Sequence, residues 1–243
     1  MTDVLYVVRG DRPELRYSLR SLARFASNVG RLVVAGTDLP AWLSDNVARV
    51  EVPSPHNRKQ KNILLAVLET LRRGAVRKCL YSSDDHFMTA PADLDAYPVF
   101  ARPYGYPPLP PPGANAFHMS IYDTGRLLAS FGLPCDLRMD GHWNTWIDAA
   151  DLGAVESVTR GYERSPWGFE PTTPFVATAR ARGALPDVVL KDDFKLKADE
   201  DANADFAALA KRGMLSSQPL SRCPRFRAWL EEQFPEPCKW EKA

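Results

Sequence analysis

The chain of 243 residues is 45% hydrophobic and 25% charged, a globular composition that excludes disordered and collagen-like chains. No apolar run approaches the ~20 residues of a bilayer span. Its four cysteines, Cys79, Cys135, Cys223 and Cys238, show no CxxC spacing, so a zinc ribbon and a dithiol redox pair are excluded. The net charge of +1 conceals an asymmetry. Residues 1–80 carry 14 Lys/Arg and 7 Asp/Glu, and subtraction from totals of 31 and 30 leaves 17 and 23 beyond residue 80. A basic first portion suits an anionic ligand, and equally suits solvated helix faces. The opening MTDVLYVVRG lacks the basic start and apolar run of a signal peptide, so the reducing cytoplasm is the expected location.

Asp3–Val8 is a β-rich apolar run and is expected to be the first, central strand. Pro13 opens a helix, with Leu15, Leu19, Leu22 and Ala26 on one face and Arg16, Arg20 and Arg24 on another. Arg31–Ala35 and Val47–Val52 read as the second and third strands. Asn57 is placed to cap a helix that buries Ile63, Leu64, Val67, Leu68 and Leu71 and ends near Gly74. Its first turns hold Arg58, Lys59 and Lys61, which oppose the helix dipole and so mark a place where something negative binds. Cys79–Tyr81 is then a short buried strand that runs into Asp84 and Asp85. The order β-α-β-β-α-β predicts a mostly parallel sheet with helices on its faces. Ligands in such sheets bind at the carboxyl ends of the strands. Paired carboxylates there suit Mn²⁺ or Mg²⁺ neutralising a substrate's phosphates. Neither GxGxxG nor GxxxxGK[ST] is present.

Beyond the acids, Val99–Ala101 reads as a brief strand. Residues 103–112 (PYGYPPLPPP) hold six prolines and two tyrosines, a stiff surface loop with Tyr104 and Tyr106 as candidate stacking faces. Asn115–Ser120 is expected to be a strand, followed by a helix near Asp123–Ser130. DGHWNTWI, residues 140–147, mixes Asp140 and His142 with two tryptophans, the pattern of a cleft wall or of an amphipathic helix. Gly161–Pro174 is loop-like, Val188–Leu190 a brief strand leading into Lys191 and Asp192, and Phe206–Lys211 and Phe226–Phe234 are helical.

Several of these stretches, in this order, resemble a family of phage and bacterial glycosyltransferase-like proteins related to the stealth-type capsule polysaccharide transferases. They are ELRYSLRSL, KNILLAVL, YSSDDHF, FHMSIYDTGRLL, LPDVVLKDDFKL and FPEPCKWE. The resemblance implies one GT-A-like α/β domain over residues 1–243, with a nucleotide-sugar-binding half (1–101) and an acceptor-side half with C-terminal helices (102–243). It implies a nucleotide-sugar donor, a UDP-sugar by expectation, bound by Arg9, Arg16, Lys61, Asn62, Asp84 and Lys191. It also implies Mn²⁺ or Mg²⁺ on Asp84, Asp85 and Asp192. A DXD triplet has an acid at its first position; here that position is Ser83. Asp140 and His142 are the candidates for taking the acceptor's proton.

The acceptor is a hydroxyl, either of a hydroxymethyl-pyrimidine in phage DNA or of a polysaccharide. The basic first portion and the aromatics, Trp143 and Trp146 among them, lean towards DNA. Sugar-phosphate transfer, and a catalytically inactive carbohydrate- or DNA-binding module, are the rival readings.

Overall fold

The computed structural model describes residues 1–242. Its strands are β1 (Thr2–Arg9), β2 (Ala26–Ser27), β3 (Val29–Thr37), β4 (Ala48–Glu51), β5 (Lys78–Ser82), β6 (His86–Met88), β7 (Ala92–Asp93), β8 (Val99–Ala101), β9 (Thr145–Asp148), β10 (Val188–Leu190) and β11 (Met214–Ser216). Its α-helices are α1 (Pro13–Phe25), α2 (Lys59–Arg72), α3 (Ala116–Ser130), α4 (Leu152–Val158), α5 (Thr173–Ala181), α6 (Phe206–Ala210) and α7 (Pro224–Gln233).

The main sheet has the order β4-β3-β1-β5-β9, with β1 in its centre. The first four strands are parallel and β9 closes the edge antiparallel to β5. Alternation along β1 explains the layers. Val4, Tyr6 and Val8 pack with Leu15, Leu19 and Leu22 of α1, whereas Leu5 packs with Leu64, Val67, Leu68 and Leu71 of α2. Both faces are therefore covered, and α4 and α5 add Val155 and Phe175 to the α2 side. A third cluster joins Phe87 of β6 to Phe206, Phe226 and Leu230 of the C-terminal helices.

Four expectations from the sequence change. Asn115–Ser120 is not a strand: the Asn115 side chain accepts from the backbone N–H groups of Phe117 and His118 and starts α3. Residues 140–147 form no helix: Asp140, Gly141 and His142 are a turn that does wall a cavity, and the run leads into the edge strand β9 with Trp143 and Trp146 buried in the core. Helix α2 begins at Lys59 after Arg58, with no side-chain cap, rather than after Asn57. Ala26 belongs to the short strand β2 and not to α1.

The C-terminal segment straps across α1. Glu241, with its carboxylate almost wholly buried, accepts from Arg16 Nη1 at 3.0 Å and from Arg20 Nε at 2.7 Å. The Arg16 guanidinium stacks 4.0 Å from the Trp42 ring centre. All four cysteines are free. Among the described residues no helix is long and apolar enough to cross a membrane.

Candidate active site

Parallel strands leave their last residues on one edge of the sheet, and two adjoining cavities open along that edge. The first, about 280 Å³, is lined by Val7, Val8 and Arg9 of β1, by Gly36 of β3, and by His56, Asn57, Arg58, Lys59 and Asn62 at the start of α2. The second, about 270 Å³, runs from Lys59 and Ile63 to Tyr81, Asp85, His86, His142, Glu170 and Lys195. Lys59 and Ile63 line both, so one elongated molecule would span them.

The floor of the first cavity depends on Gly36. Its φ is +138°, and a Cβ there would lie 1.9 Å from the Val8 carbonyl oxygen, so only glycine fits. Arg9 is exposed, and its guanidinium makes no hydrogen bond or ion pair among the described residues. Asn62 shapes the cavity: its amide accepts from the His56 N–H at 3.0 Å and donates to the His56 carbonyl at 2.8 Å. Helix geometry puts Lys59, Asn62, Ile63 and Ala66 on the cavity face. Lys61 lies on the opposite face, buried, with Nζ donating to the Glu163 carbonyl at 2.7 Å. Lys59 therefore takes the place assigned to Lys61. Arg16 lines neither cavity, because it is held by Glu241 and Trp42.

The second cavity gathers the acid–base groups. Asp85 Oδ2 receives Lys195 Nζ at 2.6 Å. Burial resists ionisation of Asp85, yet the charge and hydrogen bond of Lys195, with the charge of Lys59, hold its carboxyl far below the ordinary range. Asp84 is buried as well, and burial pushes its carboxyl up. Its one hydrogen bond comes from the Ser83 hydroxyl at 3.3 Å, and it has no ion pair among the described residues. His86 sits behind them, lowered to about 4 chiefly by burial, and is neutral at physiological pH.

His142 is held by Asp193, which accepts its backbone N–H at 2.7 Å and pairs with Nδ1 at 2.8 Å. That pairing puts the neutral ring's proton on Nδ1 and leaves Nε2 as the acceptor. Burial opposes ionisation of Asp193, but its bonds from His142 and the charge of Arg102 bring its carboxyl to about 2. Arg102 joins the elements: Nη2 donates to Asp193 Oδ2 at 2.6 Å, and Nε donates to the Asp140 carbonyl at 2.8 Å. Asp140 itself is buried and gripped by the Arg138 guanidinium, with Nε on Oδ1 at 2.9 Å. Asp140 lines the same cavity, but an acid so engaged is an anchor rather than the expected base, whereas His142 Nε2 makes no hydrogen bond among the described residues.

Glu170 completes the cleft. Its Oε1 accepts from the Ser120 hydroxyl at 2.8 Å. Burial first, then the nearby Asp140, raises its carboxyl to about 7. Nothing in the run GFEPTTP marks this acid from sequence.

Lys191 and Asp192 lie elsewhere. Lys191 Nζ donates to the Arg212 carbonyl at 2.9 Å, and Asp192 is exposed, its own carbonyl accepting from Arg212. Asp193, two positions beyond Lys191, reaches His142, and Lys195, four beyond it, lines the cleft. Trp143 and Trp146 are buried, and Trp146 Nε1 is spent on the Tyr97 carbonyl, so neither is a stacking face. Tyr106 is packed against Gly125, so of the two tyrosines of the proline loop Tyr104 is the exposed one. Phe117, 42% exposed, lines the cleft with an open face, whereas Tyr81 there is buried.

Two carboxylates at a strand end suffice for Mg²⁺ or Mn²⁺ when substrate phosphates complete the shell. Asp84 is buried without a cation but lines neither cavity, so it stands behind such an ion rather than facing the cleft. Asp85 lines the cleft beside Lys195 and is the carboxylate that fits such an ion, and Asp192, exposed and away from the cleft, does not fit. Among the described residues no three His, Cys, Asp or Glu side chains converge as a ready-made metal cage. No protein-family model matches the chain, and no curated protein matches its sequence.

Proposed function

We propose that the chain is a GT-A-like glycosyltransferase that moves a sugar from a nucleotide-sugar to a hydroxyl acceptor. The observation that carries the reading is the pair of adjoining cavities meeting at Lys59, one basic and one rich in acid–base groups. The nucleoside occupies the first cavity, against Arg9, Gly36 and the His56 backbone fixed by Asn62. The diphosphate lies at the junction, where Lys59 and Lys195 bring positive charge. Asp85, with Asp84 behind it, would hold Mn²⁺ or Mg²⁺, which would neutralise charge on the leaving nucleoside diphosphate. His142 Nε2 takes the acceptor's proton, and Asp193 holds the ring and stabilises its charged form. Glu170, at the far side of the same cleft, binds a sugar hydroxyl. Phe117 offers one flat face, suited to a single ring.

With Trp143 and Trp146 in the core, the aromatic support for a DNA acceptor falls away, and a glycan hydroxyl becomes the leading acceptor. The deciding experiment incubates the protein with Mn²⁺ and a panel of UDP- and GDP-sugars. One arm contains oligosaccharides and the other duplex DNA with 5-hydroxymethyl-pyrimidines. Release of a nucleoside diphosphate with one added sugar mass on an acceptor is the expected result. Release of a nucleoside monophosphate would reassign the chain to sugar-phosphate transfer. Binding of a donor with no product on either acceptor would leave a carbohydrate-binding module.

A further inference from the structure

We infer that the molecule has a second ligand site, for an anionic group carried on a flat apolar body, in a cavity of about 340 Å³ separate from the cleft above. Its walls are apolar: Met88 of β6, Tyr97, Pro98, Phe100 of β8 and Met214 of β11. Two cations, Lys191 and Arg212, stand among them. It shares no lining residue with either donor cavity.

Both cations are positioned and neither is neutralised. Lys191 Nζ lies 4.6 Å from the Phe100 ring centre and donates to the Arg212 carbonyl. The Arg212 guanidinium lies 5.1 Å from the Phe194 ring centre and donates to the Asp192 carbonyl at 3.1 Å. Neither has an ion pair among the described residues, and each keeps N–H groups to spare. Burial first, and the Arg212 charge second, pushes the Lys191 ammonium down, a cost that an arriving anion removes. The acid on the rim, Asp93, is engaged by Asn28 at 2.8 Å and by the Asp95 N–H at 2.9 Å. The volume lies at the small end of ligand cavities, roughly 300–1,000 Å³, and suits a single ring with a charged head. Charge selects the head, and Phe100, Tyr97 and the methionines select the body.

The place matters for what such a ligand would do. Phe100 packs 5.9 Å from Trp143, the neighbour of His142. β8 runs on into Arg102, and β10 runs on through Lys191 to Asp193, which together hold the His142 ring. An occupant therefore touches the back of the elements that orient the proton acceptor.

Phenyl phosphate is the probe, with phenol and inorganic phosphate as separate arms, titrated calorimetrically into the full chain. One site is expected, at least tenfold tighter for phenyl phosphate than for either fragment. Lys191→Gln and Arg212→Gln should each weaken it about tenfold or more. Ala96→Phe, which fills the cavity from an exposed position and leaves both cations in place, should abolish it. Lys59→Gln, in the donor cleft, should leave it unchanged. Undiminished binding in the Lys191, Arg212 and Ala96 variants, loss in Lys59→Gln, or no binding at all would overturn the assignment.

Discussion

Glu170 and Asp193 share one cleft and have opposite pH signatures. Glu170 has its folded pKa raised to about 7, above the ordinary glutamate value of about 4.3. Its contribution to stability is complete below the unfolded value and is lost as pH rises through the folded one. Glu170→Gln keeps an oxygen for Ser120 and should be more stable than the parent by about 2 kcal/mol near pH 8, and no more stable near pH 4. Urea midpoints across that range check it; an offset independent of pH would count against it. Asp193, brought to about 2, has the reverse sign: its contribution is present above the ordinary aspartate value and is lost as pH falls through about 2. Asp193→Asn would present a donor to His142 Nδ1 and move the ring's proton to Nε2. Turnover should fall on the order of a thousandfold while calorimetric affinity for the nucleoside diphosphate stays the same. At this scale the sequence was half legible. His142 stood out as a polar group just before two tryptophans, and Asp85 as an acid after a buried strand. Glu170, Asp193 and Arg102 gain their roles from partners up to 91 residues away, which no local spacing displays.

Helix α2 carries its information in which face each residue occupies. Lys59, Asn62, Ile63 and Ala66 share the cavity face, and Lys61, about 200° around from Lys59, points at the loop ending in Gly168. The excess of positive charge at the helix start was visible in the sequence; choosing among its lysines needed the face arithmetic and the position of β1. Helix α3 shows a different limit. FHMS alternates enough to pass for a strand, and the Asn115 cap decides otherwise. Strands β1 and β3 meet most closely at Gly36. Gly36→Ala forces a Cβ against the Val8 carbonyl and should cost about 3 kcal/mol, with loss of nucleoside diphosphate binding because the cavity floor moves. Thermal unfolding and calorimetry on the same variant check both outcomes; an unchanged melting temperature would contradict the close approach.

Across the whole molecule, a mostly parallel sheet with helices on both faces follows from apolar runs alternating with helical periods, and that much was readable in chain order. The pairing of distant ends was not. ELRYSLRSL and FPEPCKWE each looked like a motif, and their common basis is an ion cluster of Arg16 and Arg20 on Glu241. Burial opposes the Glu241 charge, yet its bonds from Arg20 and the Cys238 N–H keep its carboxyl low. Glu241→Gln should therefore lower stability by about 3 kcal/mol at neutral pH, with the gap to the parent closing as acid titrates the parent's own carboxylate. Chemical denaturation at neutral and acid pH measures that convergence; a gap constant with pH would point to packing alone.

The same strap sets a clock on the nascent chain. The bonds from Arg20 and Arg16 to Glu241 span 221 and 225 residues. At roughly 5–20 residues per second, α1 leaves the ribosome on the order of ten to forty seconds before its anionic partner is made. Through that interval one flank of the first helix displays two guanidinium groups with nothing to answer them. The early sheet can assemble around β1, but the last turn of the lock waits until Glu241, 221 residues beyond Arg20, has been made.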